Sequence, residues 1–228
     1  MAGYIGTYKE KTLHRELKKI FEPNNALHET PVGKYIADIK TNDEIIEIQT
    51  QSLYKLNKKL TTLLLDHRVV LVYPIARQKL LVWTDGADGE ILRTRKSPRK
   101  GSFYDAFKEL YQIKTLLDNK NLRIRLVLID VTEQRVKDET QRRYKKNYTK
   151  IDTHIRSVNE MMELGGKLDY LKLIPDNLKE RFTSGDYATS TGLSKTNAGI
   201  ALNILRRVGA ITFVGKDGRY YLYERSFG

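Results

Sequence analysis

Apolar residues recur along this chain at two alternating spacings, and the switches between them divide it into elements. In YKEKTLHRELKKIFE, Leu13, Leu17, Ile20 and Phe21 fall at helical intervals, and Pro23 with Asn24 and Asn25 closes the run. Strand-like segments follow in LHETPVG, KYIADIK and EIIEIQT, the last two joined as a hairpin through Thr41, Asn42 and Asp43. A second helix is expected in SLYKLNKKLTTLLLDHR, where residues 53, 56, 60, 63 and 64 form one apolar face. The β-rich runs VVLVYPIA and KLLVWTD come next, then a turn at GADGE, a strand in EILRTR and the basic loop RKSPRKG. SFYDAFKELYQIKTLL reads as a third helix with Ser102 at its N-cap, and LRIRLVLIDV as a buried strand.

From residue 133 the pattern fades into RVKDETQRRYKKNYTK, which predicts a polar helical linker over 133–160 between a domain at 1–132 and a second at 161–228. In the second domain, PDNLKERF starts a helix with Pro175 at its first position, and SGDYATSTG gives another that turns at Gly192. Ser194 caps a third, KTNAGIALNILRRVG, which Gly209 ends, and AITFVGKDGRYYLYER is a hairpin around GKDGR. Three helices followed by a hairpin resemble a winged helix-turn-helix domain. That resemblance implies a recognition helix whose Lys195, Thr196 and Asn197 meet the major groove, with Lys216 and Arg219 at the wing tip near phosphate.

Composition narrows the function classes. The 228 residues are 40% apolar, enough for a real core, and contain neither a membrane-spanning run nor a secretory leader, which points to the cytoplasm or nucleoid. With no cysteine, disulfides, thiol nucleophiles and thiolate metal sites are excluded, and the four histidines show no zinc spacing. Lysine and arginine number 41 against 28 acids, a formal +13, so the long-range field attracts polyanions, and DNA is the expected partner. An anionic membrane fits less well, because no basic amphipathic helix rich in Trp and Phe is present.

The candidate chemistry lies in KYIADIKTNDEIIEIQT. Glu47, Gln49 and Gln51 share one strand face, and Asp38, on the preceding strand, approaches Glu47 across the hairpin. Two carboxylates so placed repel unless a hard divalent cation neutralises them. The spacing D-x8-E-x-Q after an N-terminal helix resembles the core of the PD-(D/E)xK nuclease superfamily, with Gln49 in the usual lysine place, as in some of its restriction enzymes. The fold this implies is an α+β, restriction-endonuclease-like mixed sheet flanked by helices, followed here by the smaller winged-helix domain.

The same resemblance implies phosphodiester hydrolysis with Mg²⁺ or Mn²⁺ held by Asp38, Glu47 and the Ile48 carbonyl, while Gln49 orients the water. A lysine displaced onto the next helix, Lys59 in preference to Lys55, would supply the missing positive charge. Related resolvases add a Glu from the first helix; Glu10 and Glu16 compete for that place, with Glu10 favoured, and His28 or Glu29 could contribute a further group. A metal-dependent DNA endonuclease is therefore expected, as a dimer if it cuts both strands symmetrically. The competing expectation is a non-catalytic DNA-binding regulator with a degenerate nuclease-like domain, for which Gln49 is the main argument.

Overall fold

The computed structural model describes residues 11–85, 89–137 and 148–226. A seven-stranded mixed sheet organises the first two thirds of the chain. Its strands run β1 (His28–Val32), β2 (Tyr35–Lys40), β3 (Ile45–Ile48), β4 (Val69–Thr84), β6 (Leu122–Lys137) and β7 (Tyr148–Leu164), with β5 (Ile91–Lys96) paired to β4 off this path. Strands β1 to β3 form an antiparallel meander. Helix α2 (Asn57–Leu63) then returns the chain so that β4 lies parallel to β3, and α3 (Phe107–Leu110) precedes β6, which is parallel to β4. Parallel neighbours require such crossovers, which explains why helices interrupt the strands here and not within the meander.

Both faces of the sheet are covered, so its central strands carry apolar residues at consecutive positions. On β4, Val69 and Leu71 join the cluster containing Leu60, Leu63 and Phe107, while Val70 and Val72 join the opposite cluster around Leu17 of α1 (Lys11–Phe21). Burying a Leu or Ile side chain contributes roughly 1.5–3 kcal/mol, so these two clusters supply the main driving force for the sheet.

VVLVYPIA and KLLVWTD are not two strands but one of sixteen residues. Pro74 is tolerated inside it because it falls between the last β3 pair, Ile48↔Val72, and the first β5 pair, Leu80↔Lys96. That interval of the β4 edge is approached instead by the loop before α3, where a Cβ on Gly101 would lie 2.4 Å from the Ala76 carbonyl oxygen. The third helix is also shorter than its pattern suggests: a capping box between Ser102 and Asp105 starts it, but its flanks at Phe103–Ala106 and Tyr111–Ile113 are 3₁₀ turns.

The polar helical linker expected over 133–160 is replaced, where described, by strand. Residues 133–137 continue β6 and 148–160 belong to β7, in register from Lys137↔Tyr148 to Ile124↔Leu164. Glu16 of α1 secures this edge by accepting from the Ile155 N–H at 2.7 Å, with His154 Nδ1 3.2 Å from its other oxygen.

After β7 come α4 (Lys167–Leu171), β8 (Arg181–Phe182), α5 (Ser184–Thr191), α6 (Lys195–Arg207), β9 (Ile211–Asp217) and β10 (Tyr220–Arg225). PDNLKERF does not form the expected helix. After a turn closed by Leu178 N–H on the Pro175 carbonyl, Arg181 and Phe182 pair with Glu224 and Tyr223 as the third strand of a small sheet. Ser194 caps α6 as expected, accepting from the Asn197 N–H, and Gly192 supplies the left-handed turn before it at φ 72°. The C-terminal helices share the apolar cluster of α2 and α3: Tyr187 stacks edge-on against Tyr104 and Phe107 and donates its hydroxyl to the Leu173 carbonyl at 2.7 Å.

Candidate functional site

The β2–β3 hairpin is set by Thr41. Its hydroxyl accepts from the Asp43 and Glu44 N–H groups and its own N–H donates to the Glu44 carbonyl, which fixes the pairs Lys40↔Ile45 and Ile39↔Ile46. One further step of the same antiparallel register sets Asp38 beside Glu47. The sequence expectation that these two acids meet across the hairpin thus rests on a turn closed by one hydroxyl.

Their surroundings differ. Glu47 is 1% exposed within a strand whose four residues are all buried. Its Oε2 accepts from Lys59 Nζ at 2.5 Å, and that ammonium also donates to the Ile36 carbonyl at 2.6 Å. Its Oε1 is buried without a hydrogen-bond partner. Burial above all, then the charge of Asp38, pushes Glu47 from its ordinary 4.5 up to about 7 despite Lys59. At Asp38, burial also raises the pKa, but His14, the Ile48 N–H and Lys59 outweigh it and hold the carboxyl below its usual range. Asp38 Oδ2 lies 3.1 Å from His14 Nε2 and accepts from the Ile48 N–H at 2.7 Å.

The geometry sorts the other sequence candidates. Lys59 is the cation against Glu47. Gln49 closes the loop after β3, its amide donating to the Gln51 carbonyl at 2.5 Å and the Ser52 carbonyl at 3.5 Å. Ser52 is held at φ 58°, a left-handed conformation unusual for a residue with a side chain. Glu16 is occupied by β7, and Glu10 lies outside the described residues. His28 bonds the Glu22 carbonyl through Nε2 at 2.8 Å, and Glu29 pairs with Lys18 at 2.8 Å. His14 had no sequence signal beyond being a lone histidine on a helix; only the packing of α1 over the meander brings it to Asp38.

Among the described residues no three His, Asp or Glu side chains gather in a group able to hold a metal. The donors that do meet are carboxylate oxygens from two neighbouring strands, one of them orphaned and buried. Oxygen donors of this kind are the type a hard divalent cation takes, and a cation beside Glu47 would favour its ionised form against the burial that raises its pKa.

Two clefts lie elsewhere on the structure. The larger, about 610 Å³, starts at Leu13, Thr50 and Gln51 and continues along Pro74–Ala76 to Lys79, Glu133 and Arg135. Neither Asp38, Glu47 nor Lys59 lines it. The smaller, about 200 Å³, shares Tyr73, Arg99 and Asp105 with the first and reaches Asn197 at the start of α6. Lys195 and Thr196 are exposed, whereas Asn197 is half-buried there. Lys216 and Arg219 sit at the exposed end of the β9–β10 hairpin, each cation 5.2 Å from a ring centroid, Tyr221 and Tyr220 respectively.

A family model described as Domain of unknown function (DUF8091) matches residues 11–165, from the first residue of α1 to just beyond the end of β7. An uncharacterized protein of Treponema pallidum (strain Nichols) is 35% identical over 224 residues, spanning 97% of this chain and 87% of its own length. No solved structure matches the chain.

Proposed function

We propose that this chain, which belongs to the DUF8091 family, is a metal-dependent DNA endonuclease with a restriction-endonuclease-like sheet domain and a C-terminal winged helix. The observation that carries this reading is the Asp38–Glu47–Lys59 constellation: two acids on adjacent strands, one with a buried orphan oxygen, and a lysine at 2.5 Å. It is supported by the order of a helix, an antiparallel meander, a second helix and a strand parallel to the third. Lys59 answers the main sequence objection, since it brings positive charge where Gln49 cannot.

Asp38, Glu47 and the Ile48 carbonyl would hold Mg²⁺ or Mn²⁺, which when bound supplies an acidified water and neutralises charge on the phosphate. The chain's own groups do the rest. Lys59 keeps Glu47 oriented and its ammonium beside the carboxylates, where a buried cation is worth far more than in water. The His14 and Ile48 N–H contacts hold Asp38 in one orientation and favour its ionised form. For DNA, the exposed face of α6, with Lys195, Thr196, Asn203 and Arg206, and the cationic, aromatic hairpin tip offer groove and phosphate contacts.

Plasmid DNA with Mg²⁺ or Mn²⁺ tests the reading. The parent nicks or linearises it and Asp38→Ala and Glu47→Gln do not; retention of plasmid without any cleavage would leave the regulator. One observation favours that second reading, a non-catalytic DNA-binding protein: Asp38 Oδ2 is already shared between His14 and the Ile48 N–H.

A further inference from the structure

The larger cleft has a structural origin independent of the acid pair. On one edge of β4, pairing with β3 stops at Val72 and pairing with β5 starts at Leu80, and the open interval leaves a hollow closed by the 97–101 loop and the extended part of β6 and β7. Its floor is apolar, from Pro74, Ile129 and Val131, and Ile75 lines it from the other face of β4 at the open edge. Its walls carry four cations, Lys79, Arg99, Arg135 and Lys150, against two carboxylates, Asp105 and Glu133. A mobile anion is therefore attracted to it.

Glu133 and Arg135 are held inside the protein, whereas Lys79 and Arg99 are exposed at the rim. Glu133, 5% exposed, accepts from Lys79 Nζ at 3.1 Å and from both Arg135 Nε and Nη2, at 2.7 and 2.5 Å. These partners outweigh the burial and hold Glu133 below its usual range. Arg135 is itself stacked on Tyr148, 3.9 Å from the ring centroid, and lies 5.3 Å from Trp83. Thr153, 4% exposed, forms part of the same wall, and its buried hydroxyl has no hydrogen-bond partner. Buried polar groups without partners are uncommon in native proteins and mark places where a further group is expected.

We infer that this cleft binds a nucleotide: its excess cations take the phosphate, the apolar floor takes the face of the base, and Thr153 with Glu133 meets the polar edge. The volume suits one nucleotide, within the roughly 300–1,000 Å³ usual for small-ligand sites. The nucleotide can come free from solution or as one residue of a strand, and both share this chemistry. The inference stands apart from the nuclease reading, because no residue of the acid–lysine constellation lines the cleft.

The test uses the full chain in EDTA, so that cation binding and cleavage play no part. The single tryptophan, Trp83, reports on the Arg135 wall by its emission. The probes are thymidine monophosphate, thymidine, inorganic phosphate and a five-residue oligothymidylate, each titrated by fluorescence and calorimetry. Thymidine monophosphate, the oligomer or both bind at least tenfold more tightly than phosphate or thymidine alone. Binding weakens about three- to tenfold in Thr153→Val, the equivalent of one hydrogen bond, and similarly in Lys79→Gln, which leaves Glu133 paired with Arg135. Thr153→Val removes an unpartnered hydroxyl and keeps the fold, which a thermal melt verifies. A response to the oligomer but not the monophosphate identifies the source as a strand and upholds the site. The inference is overturned if no probe saturates, if phosphate binds as tightly as the nucleotide, or if both variants bind like the parent.

Discussion

Replacing Glu47 by Gln removes the most displaced acid described in the sheet domain without changing its volume. The carboxyl is 1% exposed and moves from 4.5 to about 7 on folding. A folded-state pKa above the unfolded one means that the native state keeps a proton the unfolded chain has lost, so stability falls as pH rises between these values. A displacement of that size corresponds to about 3 kcal/mol, complete by pH 8 and absent below pH 4.5. Urea unfolding of the parent between pH 4 and 8.5, in EDTA, reports this as a falling midpoint, against the opposite contribution of Asp38, whose depressed pKa adds stability that is lost only in acid. In Glu47→Gln the amide still offers Lys59 an oxygen, and the decline between pH 5 and 8 is about 3 kcal/mol smaller than in the parent. Adding Mn²⁺ at pH 8 to ten times its dissociation constant restores about 1.4 kcal/mol in the parent and none in the variant. Equal pH slopes for the two proteins would refute the claim that Glu47 is buried against its charge.

Three further outcomes follow from the same contacts. Lys59→Met retains the fold at pH 6, where Glu47 can take up a proton, but lowers plasmid nicking by about 100-fold or more, as measured by gel densitometry under single-turnover conditions. Lys216→Gln combined with Arg219→Gln weakens duplex binding without regard to sequence and reduces the slope of log K against log salt by about two, read by fluorescence anisotropy over a salt series. Tyr187→Phe leaves the buried Leu173 carbonyl without its donor and lowers the unfolding free energy by about 1–3 kcal/mol, seen as a lower urea midpoint with plasmid binding unchanged.

How much of this was legible depended on whether the deciding contact was local. Ser102, Ser194, Gly192 and Thr41 act within a few residues of themselves, and the elements they cap or close appear where the sequence places them. The pairing of Asp38 with Glu47 was readable for the same reason: a hairpin turn sets it. Lys59 was readable only as a choice between two lysines one turn apart, decided by which one Leu60 carries towards the sheet.

The long polar strands were not legible, because their charge pattern hides the pairing of β6 with both β4 and the β7 that follows it. The polar stretch from Glu133 to Lys137 reads as exposed, and it becomes strand because β4 and β7 supply ladders on either side of β6. β-Branched Val131, Thr132 and Val136 were the available signal, outweighed by the charges between them. PDNLKERF failed for a related reason. Its helical composition yields to the demand of Tyr223 for a strand partner at Phe182. His14 and Glu16, two positions apart on α1, point to different sides of the helix, and tertiary packing sets Asp38 against one and β7 against the other. The cleft beside Pro74 exists where two strands fail to meet, which no local pattern encodes.

The central claim is that the carboxylates of Asp38 and Glu47, steadied by Lys59, are built to share a divalent cation. Titration of Mn²⁺ into the full chain, with free ion counted by electron paramagnetic resonance, measures this without requiring a substrate. The account predicts saturable uptake by the parent at pH 8, lost in both Asp38→Ala and Glu47→Gln and kept in Thr153→Val. Uptake that survives both acid substitutions, or none in the parent, would contradict it.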